Sequence, residues 1–182
     1  MAVALHTPRL MLREWRDDDR EPFAAICADP EVRRYYYRPP ADRAASDAWI
    51  DRMRAHNAEH GFAYWAVELP SEAPLIGAIG LSRVRSAGFP FAPAVEIGWR
   101  LAPRYWNRGY ATEAARAVLD DGFGRLGLGE IVAFTLPPNE RSQRVMERLG
   151  MTRDPKGDFE HPGVPEGHEM RRHVLYRIRP AV

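Results

Sequence analysis

The sequence has little that would carry the chain into a membrane or out of the cytoplasm. Its 182 residues include one cysteine, Cys27, which cannot form a disulfide within the chain and is typical of a reducing compartment. No apolar run approaches the roughly 18 residues that a membrane span needs. The N-terminal residues lack the basic segment and the long apolar segment of a signal peptide. We therefore expect a cytoplasmic protein with no membrane partner.

Neither sign of charge is in excess. The 26 basic and 25 acidic residues leave a net charge of +1, whereas nucleic-acid binders normally show a strong basic excess. We therefore expect no nucleic-acid partner. Hydrophobic residues make up 45% of the chain and charged residues 28%, which is typical of a soluble globular protein. The length suits one domain, residues 1–182.

Apolar spacing predicts an α/β fold of the α+β type, in which one mixed sheet is flanked by helices. Three- and four-residue steps indicate helices, and strict alternation indicates strands. Helices are predicted within 17–30, over 42–60, from Gly109 to Gly127 and from Asn139 to Gly150. Strands are predicted at 8–15, 62–69, 75–84, 94–101, 130–136 and 169–179. Prolines and glycines predict loops at 33–40 and 154–168.

The junction before the third of these helices has the features of an anion site. A helix N-terminus exposes unpaired N–H groups and carries about half a positive charge. Gly109 and the small Ala111 let the backbone approach a bulky anion, and Arg104 and Arg108 add full charges. The chain lacks both the P-loop motif and the dinucleotide fingerprint. The junction is therefore either a phosphate cradle made of main chain or an ordinary tight helix start.

A wider stretch carries a family resemblance. The segments "EIGWRLAPRYWNRGYATEAARAVLDDGF" and "NERSQRVMERLGM" closely resemble the GCN5-related N-acetyltransferase (GNAT) family, and within it the RimJ/RimL-like branch. That family transfers the acetyl group of acetyl-CoA to a primary amine. Its signature, Gln/Arg-x-x-Gly-x-Gly/Ala, aligns with residues 106–111. Trp106 stands in place of Gln or Arg, and Asn107 stands where the branch usually has Gly.

The resemblance implies a GNAT-like, mostly antiparallel sheet and a site for acetyl-CoA. The main chain of 108–112 would hold the diphosphate, and strand 97–101 would run beside the pantetheine arm, at a V-shaped gap between this strand and 130–136. The implied cofactor-binding residues are Ile97, Trp99, Leu101, Arg104, Arg108, Gly109, Tyr110, Ala111, Thr112, Asn139 and Ser142. For the last two, capping of the following helix is the alternative.

Two residues are candidates for the chemistry. Glu96 is a lone carboxylate in an otherwise apolar strand and is predicted to take the proton of the amine. Its alternative is a structural ion pair with Arg100 or Arg13. Many family members use a tyrosine as the acid, at the place where this chain has Met146. Either Ser142 is therefore the hydroxyl near the sulfur, or the reaction needs no side-chain acid.

The acceptor side has two candidate segments. The resemblance places Tyr35, Tyr36 and Tyr37 in the acceptor loop, where aromatic faces suit a cationic amine, although they could equally cover an apolar edge. In the 154–168 loop, Glu160 and His161 are further candidates for substrate binding, and Glu160, His161 or His168 could be the base instead of Glu96. A surface turn is the alternative for this segment. His161 and His168 do not have a zinc-motif spacing, so no metal is expected.

The sequence thus predicts an N-acetyltransferase that uses acetyl-CoA. Its acceptor would be a small-molecule amine or the N-terminal amine of a peptide. A non-catalytic acyl-CoA-binding module on the same fold is the alternative. The final strand could pair with a second copy, which makes a homodimer possible.

Overall fold

The computed structural model describes residues 4–37 and 42–180. Within these ranges nine strands form one sheet. They are β1 (Leu5–His6), β2 (Met11–Arg13), β3 (Tyr64–Leu69), β4 (Ala73–Val84), β5 (Ala94–Leu101), β6 (Ile131–Thr135), β7 (Thr152–Arg153), β8 (Phe159–Glu160) and β9 (Arg172–Ile178). Five α-helices are described: α1 (Arg20–Ala28), α2 (Pro30–Arg33), α3 (Arg43–His60), α4 (Tyr110–Gly124) and α5 (Glu140–Arg148).

The sheet is mixed and mostly antiparallel, which confirms the predicted fold class. Its order is β1-β2-β3-β4-β5-β6-β9-β7, and β8 pairs with β9 beside this path. Every neighbouring pair is antiparallel except β5 and β6, which run parallel. The crossover that a parallel pair requires is supplied by α4.

Strands β5 and β6 diverge almost as soon as they meet. In the part of the chain that the structure describes, their only paired position is Glu96 with Val132. Strand β5 continues to Leu101 and β6 to Thr135, but the two strands do not pair with each other again. Backbone groups on the facing edges are therefore left for another partner. This divergence is the V-shaped gap that the resemblance implied.

Two apolar cores lie on opposite faces of the sheet. Ile97 and Leu101 of β5 pack with Val118 and Leu119 of α4 in the larger core. The smaller core joins α1 and α3 to the other face and includes Phe23, Ile50, Ala66 and Ala78. Because side chains alternate along a strand, Glu96, Gly98 and Arg100 lie on the face covered by α1 and α3.

The predicted helix ends are close to the observed ones, with one exception at Pro30. Strand β5 and helix α3 begin and end within one residue of the prediction. Pro30 ends α1, as predicted, but also begins α2, where Asp29 Oδ1 accepts a hydrogen bond from the Glu31 N–H at 2.8 Å. Proline suits the first position of a helix because its missing N–H would have no partner there.

The sequence did not predict β1, β7 and β8. Each has two residues, which is too short to show a periodicity. The prolines of the predicted tyrosine loop, Pro39 and Pro40, lie outside the described residues. Among the helices of residues 4–37 and 42–180, none combines the length and the apolar character that crossing a bilayer requires.

Candidate functional site

Helix α4 begins with backbone donors that nothing caps. The N–H of Glu113 donates to the Gly109 carbonyl at 3.0 Å, which is the first bond of the helix. The N–H groups of Tyr110, Ala111 and Thr112 precede it and have no acceptor within the helix. No side chain of residues 4–37 and 42–180 caps this end, and Gly109 adopts a left-handed φ of +81°. Three uncapped donors and the helix dipole together favour an anion.

Asn107 performs the turn for which the branch uses glycine. It has a φ of +59° and is the only non-glycine residue with a positive φ among residues 4–37 and 42–180. Asparagine tolerates this conformation better than other residues with a side chain. The substitution in the signature therefore leaves the local backbone path intact.

The sequence did not indicate a further arginine at the helix start. Arg9 Nη1 donates to the Arg108 carbonyl at 3.1 Å, and Arg9 Cζ lies 4.5 Å from the centre of the Tyr110 ring. Its Nη2 is 2.6 Å from a Glu113 carboxylate oxygen. Arg108 also lies near the Tyr110 ring, at 5.0 Å, and 3.4 Å from Glu72. The two guanidinium groups flank the α4 N-terminus, and each is paired with a carboxylate, Arg9 with Glu113 and Arg108 with Glu72.

A cleft of about 210 Å³ lies between the last residues of β5, Trp99–Leu101, and the N-termini of α4 and α5. The predicted site residues that line it are Tyr35, Tyr36, Trp99, Leu101, Gly109, Tyr110, Ala111, Thr112, Asn139 and Ser142. Arg100, Trp106, Asn107 and Arg141 also line it. The predicted residues outside its lining are Glu96, Ile97, Arg104, Arg108, Tyr37, Glu160 and His161. Ile97 is directed into the larger core and is 3% exposed.

Asn139 is the N-cap of α5. Its Oδ1 accepts from the Ser142 N–H at 3.3 Å, and its Nδ2 donates to Thr135 Oγ1 at 2.9 Å. These bonds fasten the start of α5 to the end of β6. The Ser142 hydroxyl forms no hydrogen bond with the described residues and lines the cleft. Met146 is 1% exposed and points into the larger core.

Glu96 is the residue at the closed end of the gap. Its carboxylate keeps partial exposure, but the protein surrounds most of it, and this burial raises its pKa from 4.5 to about 7. Its neighbour on the same face is Tyr64, whose hydroxyl lies against the Cα of Gly98, where any larger residue would place its Cβ. A carboxyl group with a pKa near 7 is matched to proton transfer at neutral pH.

Among residues 4–37 and 42–180, Glu96 does not form the structural ion pair that was its alternative role. Arg13 is paired with Asp19 at 2.7 Å and with Glu68 at 2.7 Å. Arg100 donates instead to the Tyr36 hydroxyl, at 3.2 Å. When the Glu96 carboxylate is ionised, no cation among the described residues therefore neutralises its charge.

The three tyrosines point in different directions. Tyr36 stacks on the Arg100 guanidinium at 4.8 Å, and Tyr35 lies 5.7 Å from that of Arg34. The ring of Tyr37 is instead 4.7 Å from the ring of His168. The tyrosine segment and the 154–168 loop thus meet through Tyr37 and His168.

Glu160 and His161 lie beyond the cleft. Glu160 faces Arg171 at 3.3 Å and is mostly solvent-exposed. The ring of His161 lies 5.1 Å from that of Phe89 and 4.9 Å from that of His173, in a cluster of aromatic side chains. Across residues 4–37 and 42–180, no three His, Cys, Asp or Glu side chains are grouped as metal ligands would be.

Comparison with known proteins agrees with this geometry. The sequence profile described as "Acetyltransferase (GNAT) domain" matches residues 9–152. The "Uncharacterized N-acetyltransferase YnaD" of Bacillus subtilis is 32% identical over 172 residues, which cover 94% of each chain. An "FsC-acetyl coenzyme A-N(2)-transacetylase" of Aspergillus fumigatus is 31% identical over 172 residues, which cover 90% of this chain and 72% of that protein.

A solved structure shows the same fold. The GNAT-family acetyltransferase from Bacillus anthracis has 29% sequence identity and a TM-score of 0.80, and the superposition covers 97% of this chain and 98% of that one. The profile spans most of the chain, and the Bacillus subtilis relative matches along nearly its whole length. The chain therefore belongs to the GNAT acetyltransferase family and is an acyltransferase enzyme.

Proposed function

We propose that the enzyme transfers the acetyl group of acetyl-CoA to a primary amine that enters from the α1–α3 face of the sheet. One observation carries the proposal: the cleft joins the N-terminus of α4 to the end of β5 at Trp99–Leu101, which borders the gap whose closed end holds Glu96. Acetyl-CoA, when bound, supplies the acetyl group as a thioester.

The residues at the helix start fit a diphosphate. Tyr110, Ala111 and Thr112 offer free backbone N–H groups, and Arg9 and Arg108 lie beside them. Such donors bind phosphate oxygens through charge-assisted hydrogen bonds. The open edge of β5 leaves backbone groups from Ile97 onward that the amides of the pantetheine arm would pair with, as an added strand does.

Glu96 has the properties that a base needs here. An ammonium has no lone pair, so the amine must lose a proton before its nitrogen attacks the thioester carbon. In the reaction the C–N bond forms, the C–S bond breaks and the sulfur leaves as a thiolate. With a pKa of about 7, Glu96 is partly ionised at neutral pH and accepts the proton directly or through a water molecule.

Ser142 is the proposed hydrogen-bond donor to the departing sulfur. Its hydroxyl lines the cleft and has no partner among the described residues, so it is available to a ligand. Met146 is buried and cannot donate a proton. Asn139 holds the α5 N-terminus against β6 and thereby fixes the position of Ser142.

The acceptor is proposed as a small-molecule amine or the N-terminal amine of a peptide. The motif from Trp106 to Ala111 favours the RimJ/RimL-like branch, which includes enzymes that modify ribosomal proteins. The Aspergillus relative's name, a transacetylase that uses acetyl coenzyme A, supports the donor.

The test is release of free thiol from acetyl-CoA in the presence of a panel of primary amines. Turnover that falls in both Glu96→Gln and Ser142→Ala would support the proposal. Exposed Arg83→Gln on β4 is the control and should keep full activity. Tight CoA binding by calorimetry, with no thiol released by any amine, would instead indicate a non-catalytic acyl-CoA-binding module.

A further inference from the structure

Arg100 is a partly buried cation that no acidic side chain among residues 4–37 and 42–180 neutralises. Its Nε donates to the Tyr36 hydroxyl at 3.2 Å, and its Nη1 donates to the Cys27 sulfur at 3.1 Å. A hydroxyl and a thiol are neutral acceptors. Aromatic rings stack around the guanidinium, with Tyr36 at 4.8 Å and Trp49 at 5.7 Å. Within residues 4–37 and 42–180, no carboxylate lies within 4 Å of Arg100.

Arg13, a buried arginine of β2, is arranged differently. Arg13 is bound by two carboxylates, those of Asp19 and Glu68. A buried charge is costly unless it is paired, so an arginine without a counter-ion is unusual in a structural role. Glu31 lies on the same cleft but forms no ion pair with Arg100 among the described residues.

The guanidinium of Arg100 has hydrogen-bonding capacity left for a ligand. An arginine has five N–H donors in a planar fork, and two nitrogens, Nε and Nη1, are engaged here. No hydrogen bond from Nη2 to a described residue is formed. Arg100 lines the cleft beside Trp99, so the free donors face a space that a ligand can enter. Planar carboxylates match this fork in geometry and charge.

The position of Arg100 relates it to the acceptor and separates it from the diphosphate. It lies on the same face of β5 as Glu96, four residues along, which is about 13 Å between Cα atoms. Gly98 lies between Glu96 and Arg100 on this face of β5. It has no side chain, and the Tyr64 hydroxyl fills the space beside its Cα. Tyr36, on the proposed acceptor side, holds the guanidinium in place. An acceptor whose carboxylate is bound by Arg100 would thus have to place its amine past the Tyr64 hydroxyl, toward Glu96.

We propose that Arg100 binds a carboxylate of the acceptor, so that the preferred substrates are amino acids or similar amines that carry a carboxylate. This inference rests on the proposed acetyl transfer and names its substrate class. Arg100 acts as a specificity-determining residue, and Tyr36 and Cys27 position its guanidinium.

The experiment compares matched pairs of acceptors in the thiol-release assay. The pairs are 4-aminobutyrate with 4-aminobutanamide, 6-aminohexanoate with 6-aminohexanamide, and L-phenylalanine with L-phenylalaninamide. In at least one pair, kcat/KM for the acid should exceed that for the amide by about tenfold or more, which is typical of a charge-assisted hydrogen bond. For the first two pairs the amine is remote from the changed group, so its basicity differs little.

Arg100→Gln should bring that ratio close to one, because kcat/KM for the acids should fall more than kcat/KM for the amides. Arg100→Lys, which keeps the charge without the fork, should keep part of the preference. The exposed Arg83→Gln should keep all of it. Thermal unfolding shows whether the variants are folded. Inhibition of the wild-type enzyme by simple carboxylic acids, compared with their amides, provides a measurement that needs no variant.

The outcomes separate this inference from the proposed function. If amides turn over as well as acids, or if the preference survives in Arg100→Gln, the inference is wrong and acetyl transfer stands. A stronger preference for 3-aminopropylphosphonate than for 4-aminobutyrate would overturn the choice of carboxylate. If no amine releases thiol while CoA still binds, acetyl transfer itself is wrong and the inference falls with it.

Discussion

Glu96 and Val132 are partners at the one position where β5 and β6 pair in the described structure. The carboxylate of Glu96 therefore lies at the vertex of the gap, on the face of α1 and α3. Beyond the vertex, β5 has free backbone groups that run toward the start of α4. The same divergence thus creates the space for a thioester and places a carboxylate at the closed end of that space.

The first prediction concerns the protonation of Glu96. Burial raises its pKa to about 7, so kcat/KM should rise with pH through an inflection near that value as the carboxylate forms. Glu96→Gln should lower kcat/KM by about 100-fold or more and remove this inflection. Stopped assays between pH 5.5 and 9 measure kcat/KM of both enzymes. Dividing the wild-type value by the variant value at each pH cancels the effect of the ionisation of the amine itself.

The same shift has a consequence for stability that does not depend on catalysis. Between pH 4.5 and about 7 the carboxyl is ionised in the unfolded chain but still protonated in the folded one. The folded state then binds more protons, so the free energy of unfolding of the wild type falls as pH rises through this window. Glu96→Gln has no such loss and should gain stability relative to wild type across it. If the stability difference between the variant and the wild type stays constant with pH, the pKa of Glu96 is not raised in the folded state.

Much of the candidate site could be predicted from the sequence because it is local. The helix start at Gly109 and the alternation along β5 are encoded in consecutive residues, and the structure has both where the pattern places them. Asn139 as the cap of α5 follows from the same kind of short-range rule.

Contacts between distant segments could not be predicted in this way. Arg9 reaches the α4 start because the hairpin of β1 and β2 lies beside it, and nothing in the spacing of Arg9 signals that contact. The isolation of Arg100 from carboxylates depends on which residues α1 and α2 bring near it. Gly98 did carry a signal, since glycine inside a strand marks a close approach, but not the identity of Tyr64.

The second prediction separates a capping role from a role at the cofactor on α5. Asn139→Ala removes both hydrogen bonds of the cap and should lower the free energy of unfolding by about 1 kcal/mol. Ser142→Ala removes a hydroxyl with no partner among the described residues, so stability should change by less than about 0.5 kcal/mol while kcat falls. Denaturant unfolding and initial rates measure the two effects. Equal losses of stability in both variants would mean that Ser142 is part of the cap.

The third prediction concerns the backbone at the start of α4, and the chain offers a matched control at the other end of the same helix. Gly109 and Gly127 have φ values of +81° and +64°, so alanine at either position should cost about 1 kcal/mol of stability. A Cβ on Gly109 would lie beside the uncapped N–H groups, 3.4 Å from Arg9 Nη2, whereas one on Gly127 would meet no atom within 4 Å. Gly109→Ala should therefore weaken CoA binding about tenfold or more by calorimetry, since displaced charge-assisted hydrogen bonds are worth that much, and Gly127→Ala should leave it unchanged. Because both variants carry the same backbone strain, equal CoA affinities would place the diphosphate elsewhere and remove the basis for the proposed orientation of the thioester.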